Sequence, residues 1–246
     1  MKNLLALGAT LIALAACSVA ADASVVIGGT RVVFPAAGGE VTVRLNNNGA
    51  QPALVEAWID AGNPDSTPDT SRVPFLITPP LFRMNAGKGQ SLRIVYTGQA
   101  LPNDRESLFW LNVLEIPPKP GTANGEAQNT LQFAVRSRLK LFFRPANLTG
   151  NPLTAASQIT WSLARDGHGY ALVAHNPTPY HVTFSKVSLE AGKAALATEA
   201  GMVAPLSTLR LPLAEAAPAP APGAAVAFTT INDFGAAAAN QGTITP

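Results

Sequence analysis

Cysteine is almost absent from this sequence: Cys17 is the only one in 246 residues. A single cysteine cannot form an internal disulfide, so the fold must be stabilised by burial of an apolar core. Charge is scarce as well, since Asp, Glu, Lys and Arg make up 13% of the residues and the net charge is +2. No run of Lys or Arg exceeds two residues, which argues against nucleic acid as a partner.

Groups that could bind a metal or carry out catalysis are also few. The histidines are His168, His175 and His181; a Pro-containing loop separates the last two, and no Asp, Glu or Cys nearby completes a ligand set. Asp104 and Glu106 lie only two residues apart, a spacing at which two carboxylates rarely flank a substrate. Neither a nucleophile elbow nor a glycine-rich phosphate loop is present. We therefore predict no metal, no cofactor and no enzymatic activity.

One long apolar run is present, and it lies at the N-terminus. Residues 1–23, MKNLLALGATLIALAACSVAADA, combine a positive charge at Lys2, an apolar stretch, and small residues at Ala21 and Ala23. This is the pattern of a cleavable secretory signal peptide, too short and wrongly flanked for a membrane span. We expect cleavage after Ala23 and no membrane insertion of the mature chain.

Two alternatives for this N-terminal segment remain open. Cleavage after Ala20 is the second choice, and the segment LAAC at Leu14–Cys17 resembles a lipobox, in which Cys17 would carry lipid. Under the preferred cleavage the mature chain has 246 minus 23, or 223, residues and no cysteine. At about 100 residues per immunoglobulin-like sandwich, that length suggests two such domains.

Short alternating segments separated by Pro, Gly and Asn make up the rest of the chain, for example EVTVRLN, LVEAWID, SLRIVYTG and SLFWLNVLEI. Such segments are typical of strands and turns, and no sustained helical period occurs outside the signal. We predict an all-β chain of two immunoglobulin-like β-sandwich domains in series, with a cleft between them. Because Pro145 ends a long strand and Asn151 starts a turn, we place the domains at residues 24–146 and 147–246.

The segment TLQFAVRSRLKLFFRP, Thr130–Pro145, alternates for longer than most strands, which run about five or six residues. Its apolar face carries Leu131, Phe133, Val135, Leu139, Leu141 and Phe143. A loop rich in Pro and Gly precedes it, so we predict that its first half extends from the domain as an arm.

Two cations lie in strand segments of this first half. Lys140 is flanked by apolar residues in the long strand, and Arg31 lies in the strand TRVVF. If the two strands were neighbours at a cleft, Arg31 as a fork and Lys140 as a point charge would form a carboxylate site. If they are not neighbours, each is an ordinary solvated strand residue, and the sequence leaves both possibilities open.

A resemblance to a known family extends this interpretation. The segment LPNDRESLFWLNVLEIPP, Leu101–Pro118, is similar to the signature of the periplasmic pilus-assembly chaperones of the chaperone–usher pathway. The segments TRVVFP, LITPPLFRM, LKLFFRP, NPTPYHVTFS and INDFG also occur in the family's order across nearly the whole mature chain. The resemblance implies a periplasmic chaperone that binds, folds and caps pilus (fimbrial) subunits by donor-strand complementation and delivers them to an outer-membrane usher.

The same resemblance implies roles for two groups of charged residues. Arg31 and Lys140 would bind the C-terminal carboxylate of a pilus subunit in the cleft between the domains. Glu106, Arg144 and Asp233 fall where the family has a charged cluster between the domains. We expect this cluster to set the angle between the domains and not to bind a ligand.

Residues 130–144 would be the donor strand, which completes the sandwich of a subunit that lacks one strand. The side chains lent to the subunit groove would be Leu131, Phe133 and Val135. The loop at residues 117–129 is short and the mature chain lacks the cysteine pair of many long-loop members, which implies the short-loop subclass. The Ala- and Pro-rich stretch at residues 214–225, predicted to be a surface loop, departs from the family pattern.

Two other classes of protein fit parts of the sequence. A structural or adhesive immunoglobulin-like module would keep its long strand to itself and would expose no apolar row. A carbohydrate-binding or hydrolytic protein would need clustered exposed aromatic residues, whereas Trp58, Trp110 and Trp161 lie in strand patterns that predict core positions. The sequence leaves open which subunits are bound and whether the free protein caps its strand by forming a homodimer.

Overall fold

The computed structural model describes residues 24–119, 131–167, 169–191, 194–198, 201–213 and 223–245. The signal peptide predicted at residues 1–23, with Cys17, lies outside this part of the chain. So do Thr130, His168 and nearly all of the Ala- and Pro-rich stretch. Within the described residues, no helix is long and apolar enough to cross a membrane.

The first domain is a sandwich of two β-sheets. Its strands are β1 (Val25–Ile27), β2 (Arg31–Pro35), β3 (Glu40–Asn47), β4 (Ala53–Asp60), β5 (Phe75–Thr78), β6 (Leu81–Met84), β7 (Gly89–Tyr96), β8 (Ser107–Ile116) and β9 (Val135–Arg144). They are ordered β1-β3-β7-β5 in one sheet and β2-β9-β8-β4-β6 in the other. A short 3-10 helix, Ala36–Gly38, follows β2. The described strand pairs of this domain are antiparallel except that β2 runs parallel to β9.

The core of the first domain forms because alternate residues of each strand point towards the opposite sheet. In β9 these residues are Leu139, Leu141 and Phe143, which are all buried. The ring of Phe143 lies 5.8 Å from that of Phe34 and 4.6 Å from that of Tyr96, measured between centroids. The second half of β9 is therefore fixed in the core of its own domain.

The second domain is another sandwich with a separate core. Its strands are β10 (Thr160–Asp166), β11 (Gly169–Asn176), β12 (Val182–Ala191), β13 (Ala194–Thr198), β14 (Gly201–Val203), β15 (Ser207–Pro212), β16 (Ala225–Ile231) and β17 (Ala237–Thr243), and a 3-10 helix, Ala155–Gln158, precedes them. One sheet has the order β10-β11-β15 and the other β13-β12-β16-β17, with β14 also paired to β12. The all-β prediction with two sandwiches in series is confirmed.

The three tryptophans occupy different environments. Trp161 lies in the core of the second domain, with its ring 5.1 Å from that of Phe228. Trp58 is buried, but beneath Arg136 on the outer face of the sheet, and Trp110 is only half-buried on that face. The prediction of core positions is right for Trp161 and for the buried Trp58 and wrong for Trp110, because alternation along a strand does not reveal which face is covered.

The long strand begins later than the sequence pattern suggests. The prediction placed it at residues 130–144, whereas β9 starts at Val135, opposite Glu115 of β8. If the ladder continued, Pro117 and Pro118 would come to lie opposite the residues before Val135. Proline has no backbone N–H to donate to a ladder, so pairing within the chain ends there.

Candidate functional site

The two cations singled out in the sequence are direct neighbours in the structure. Arg31 begins β2 and lies opposite Lys140 in the parallel register of β2 with β9. Both side chains reach the second domain: Arg31 Nη1 donates to the carbonyl oxygen of Ile231 at 2.8 Å, and Lys140 Nζ donates to Thr183 Oγ1 at 3.3 Å. The arrangement left open by the sequence is therefore a pair of cations at the domain boundary.

Among the described residues, neither of these cations forms an ion pair with a carboxylate. In the part of the chain that the structure describes, the ion pairs do not include Arg31 or Lys140. The Arg31 Nε is buried and lacks a hydrogen-bond partner there. Burial, followed by the charge of Arg31, lowers the pKa of Lys140, and burial also lowers the pKa of Arg31, although the charge of Asp233 opposes this. A bound anion would relieve both costs.

The predicted charged cluster is also assembled at the domain boundary. Arg144 Nε contacts Glu106 Oε1 at 2.7 Å. The same guanidinium donates to both carboxylate oxygens of Asp233, in the turn after β16, at 2.7 and 3.0 Å. Burial works to lower the pKa of Arg144, but its hydrogen bonds and charge interactions with Asp233 and Glu106 raise it. The cluster thus joins the two domains through mutually compensated charges.

His181 is a member of this cluster that the sequence interpretation missed. Its backbone N–H donates to Glu106 Oε2 at 2.8 Å, and its ring Nδ1 lies 3.1 Å from the same oxygen. The Glu106 backbone N–H in turn donates to the carbonyl oxygen of Pro179 at 2.9 Å. The segment NPTPYHVTFS resembles the family, but nothing in its spacing points to Glu106. His175 is exposed, and no metal-binding cluster of three or more His, Cys, Asp or Glu is found among the described residues.

The three predicted donor side chains form an uncovered apolar row. Leu131, Phe133 and Val135 are 80%, 70% and 47% exposed. They continue the alternation of the buried residues Leu139 and Leu141 further along the same chain segment. The row thus lies outside the domain core, and the same face of the segment enters the core at Leu139.

A cavity of about 290 Å³ lies at the domain boundary beside these groups. Its lining includes Arg31 and Arg144 from the first domain and His181, Asn232 and Asp233 from the second. Apolar side chains such as Phe142 and Val182 complete the lining, so the cavity is mixed in character, and it leaves room for a small group beside Arg31.

Comparison with known proteins places this geometry in a family. Residues 24–149 match the family model for the N-terminal domain of the pili and flagellar-assembly chaperone PapD, and residues 154–242 match that for the C-terminal domain of the pili assembly chaperone PapD. The chain belongs to the PapD family of pilus-assembly chaperones.

The relatives of this chaperone cover it nearly end to end. The chaperone protein FimB/FhaD of Bordetella pertussis is 46% identical over 243 residues, which span 97% of this chain and 95% of that protein. The crystal structure of the YadV chaperone is 39% identical, with a TM-score of 0.76 over 90% of this chain and 100% of the other. A chain in the structure of the Salmonella enterica SafA pilin in complex with the SafB chaperone is 29% identical, with a TM-score of 0.72 over 93% of this chain and 99% of the other.

Proposed function

We propose that this protein captures pilus subunits in the periplasm and passes them to an outer-membrane usher. The observation that carries the proposal is the row of Leu131, Phe133 and Val135, which leaves the domain core and stays uncovered. An exposed apolar row of this kind indicates a binding surface. The names of its chaperone relatives and the pilin bound in the SafA–SafB structure support a pilus subunit as the ligand.

In the proposed complex, the donor strand fills the groove of a subunit that lacks one strand of its own sandwich. Its backbone pairs with the strands that border the groove, as in other cases of strand addition. Burial of each donor side chain would contribute about 1.5–3 kcal/mol. The donor strand is proposed to run over residues 130–144, so that its first residues become ordered against the subunit and its last residues stay in the chaperone core.

Arg31 and Lys140 are proposed to bind the C-terminal carboxylate of the subunit. They are partly buried and adjacent, and neither forms an ion pair among the described residues; in such an environment a carboxylate forms strong charge-assisted hydrogen bonds. Fixing the carboxylate would also fix the register of the donor strand. A slip of one residue would turn the apolar row away from the groove.

Several further features belong to the same proposal. The domains are taken to divide between Ala146 and Asn147, and Glu106, Arg144 and Asp233 are taken to set the angle between them. The chaperone is assigned to the short-loop subclass, with export by a cleaved signal peptide and no enzymatic activity. In the absence of a subunit, a homodimer would be one way to cover the donor row. A structural module that keeps its strand to itself would not leave this row uncovered.

The proposal is tested by the variant Phe133→Glu, with Gln132→Glu as its matched control. A charge at position 133 would enter the subunit groove without a partner and should weaken capture by several kcal/mol. Both side chains are exposed in the free protein, so both variants should keep the wild-type melting temperature. Capture is measured by pull-down and size-exclusion chromatography with a purified pilus subunit. If Phe133→Glu unfolded the protein or captured the subunit normally, the donor-strand assignment would fail.

A further inference from the structure

Two arginines on the outer face of β9 stack on tryptophans of the next two strands of the sheet, Arg138 on Trp110 of β8 and Arg136 on Trp58 of β4. The Arg136 guanidinium carbon lies 4.7 Å from the centroid of the Trp58 ring. The Arg138 guanidinium carbon lies 4.2 Å from that of Trp110. These are cation–π distances, and both contacts lie where β9 leaves the domain towards the donor row.

A buried carboxylate lies beneath these arginines. Asp60, at the end of β4, is only 2% exposed. Arg138 binds it through two hydrogen bonds, from Nη2 to Oδ1 at 2.6 Å and from Nε to Oδ2 at 3.1 Å. Although burial acts to raise the pKa of Asp60, hydrogen bonds from Arg138, Asn112 and Gly62 lower it below its ordinary value. These hydrogen bonds keep Asp60 ionised although its side chain is buried beneath the arginines on the outer face of the sheet.

Asn112 connects this carboxylate to the second arginine. It is fully buried in β8, and its Nδ2 donates to Asp60 Oδ2 at 2.8 Å. Its Oδ1 accepts from Arg136 Nε at 3.0 Å and from Arg136 Nη2 at 2.7 Å. Arg136 Nη1 also donates to the carbonyl oxygen of Pro64, in the loop after β4, at 2.7 Å. The network therefore spans three adjacent strands and a covering loop.

The first part of β9 has little other side-chain support. On its inner face, Val135 is 47% exposed and Ser137 is only half-buried, and burial in the core begins at Leu139. Backbone pairing with β8 continues to Val135. Between residues 135 and 138, the side chains that fix the strand are therefore Arg136 and Arg138, and both are held directly or indirectly by Asp60.

We propose that Asp60 is a positioning residue for subunit capture: through Arg138 and Asn112 it holds the part of β9 from which the donor row projects. This inference rests on the proposed function. Asp60 is too deeply buried to touch a subunit itself, so it acts through the strand. A strand that is already ordered does not have to be ordered during capture. Ordering the backbone of one residue costs conformational entropy equivalent to about a tenfold change in a rate constant. If loss of Asp60 leaves this part of β9 to be ordered during capture, capture should be slower by roughly that factor or more.

The test compares Asp60→Asn with Glu40→Gln in the full-length mature protein. Asp60→Asn keeps the size of the side chain and removes the charge that binds Arg138. Glu40→Gln removes the carboxylate of an exposed ion pair with Arg93 on the other sheet and serves as the control. The readouts are the association rate with a purified pilus subunit and the amide hydrogen exchange of residues 135–138, compared with that of the core strand β8.

The expected result is slower capture by Asp60→Asn, roughly tenfold or more, with faster exchange at residues 135–138 and unchanged exchange in β8 from Phe109 to Leu111, which pair with the core half of β9. Wild-type capture, slower capture without faster local exchange, or faster exchange throughout the domain would each overturn the inference. If Asp60→Asn does not fold, the capture rate and the hydrogen exchange of Arg136→Gln are measured instead, with the same expected and contradicting results. Arg136 is chosen because it is the outermost member of the network. Failure of the wild-type protein to capture any subunit would instead contradict the proposed function.

Discussion

Lys140 and Arg144 lie four residues apart on the same face of β9, yet their electrostatic surroundings are opposite. Arg144 is bound by two carboxylates, from Glu106 and Asp233, at 2.7 Å each. Lys140 has the hydroxyl of Thr183 as its hydrogen-bond acceptor and the cation Arg31 as its cross-strand neighbour. Among the described residues, Arg144 has carboxylate partners, whereas Lys140 has none and only lies 5.9 Å from the centroid of the Trp110 ring.

This difference in charge compensation is the basis for proposing a structural role for Arg144 and a binding role for Lys140. A buried charge without a partner costs free energy, and a protein gains nothing from it in the free state. The cost of burying Arg144 is offset by its ion pairs with Glu106 and Asp233, which join the two domains. Lys140 and Arg31 carry a cost that a bound carboxylate, as proposed above, would reduce, and perturbed groups of this kind are candidates for functional sites. The four predictions that follow test the two cases against each other.

The largest effect is expected for Arg144→Ala. This change leaves Glu106, whose side chain is 1% exposed, without its guanidinium partner. Loss of one member of a buried ion pair costs about 3–5 kcal/mol. Urea unfolding should show this loss, whereas Arg93→Ala, which breaks an exposed pair, should leave the midpoint unchanged. If Arg144→Ala and Arg93→Ala had the same urea midpoint, the ion pairs of Arg144 would not stabilise the protein more than an exposed pair does. The structural role of Arg144 would then be contradicted.

The second prediction concerns the uncompensated pair. Lys140→Met and Arg31→Ala should each weaken subunit capture by about 1.5–3 kcal/mol, the value of a hydrogen bond to a charged group, or roughly 10- to 150-fold in Kd. Lys140→Met should not destabilise the free protein, because it replaces a buried uncompensated charge with an apolar chain. Titration calorimetry with a subunit and thermal melts of the free variants measure both quantities. A destabilised Lys140→Met variant with normal capture would assign Lys140 to the scaffold.

A smaller effect is expected from the subunit carboxylate alone. A short peptide with the C-terminal sequence of a subunit should stabilise the wild-type protein against unfolding. At a concentration ten times its Kd, the gain would be about 1.4 kcal/mol. The same peptide with an amidated C-terminus should give no gain, and Lys140→Met should respond to neither peptide. Stabilisation by the amidated form would show that the carboxylate is not the group recognised.

The smallest effect is a dependence of stability on pH. Since burial lowers the pKa of Lys140 in the folded protein, the unfolded chain binds more protons between that lowered value and the ordinary lysine value of 10.5. In this alkaline window the wild-type protein should gain stability relative to Lys140→Met as the pH rises, by a small amount because Lys140 is partly exposed to solvent. If the free energies of unfolding of the two proteins changed equally with pH across this window, the pKa of Lys140 would not be lowered in the folded protein, and the prediction would be wrong.

Local sequence patterns predicted the strands and the exposed apolar row. The alternation in residues 139–143 places Leu139 and Leu141 inside the sandwich, as the structure confirms. The exposed positions of Leu131 and Phe133 also follow from the predicted arm. These predictions succeed because a strand has a side-chain period of two, so each residue's face is fixed by its nearest neighbours in the chain.

Other features were decided by the tertiary structure alone. The strand pairing of Arg31 with Lys140 joins residues 109 positions apart, counted as 140 minus 31, and depends on the parallel register of β2 with β9. The late start of β9 depends on two prolines in another segment, and the outward position of Trp110 depends on which face meets the second sheet. His181 joins Glu106 only because the domains meet there.

The sequence by itself determined which residues can face together along each strand, because the pleat of the backbone is a local property. Only the tertiary structure decided which strands lie side by side and which charges meet. Register and sheet order result from packing distant segments around a common core, and no short stretch of sequence contains that information.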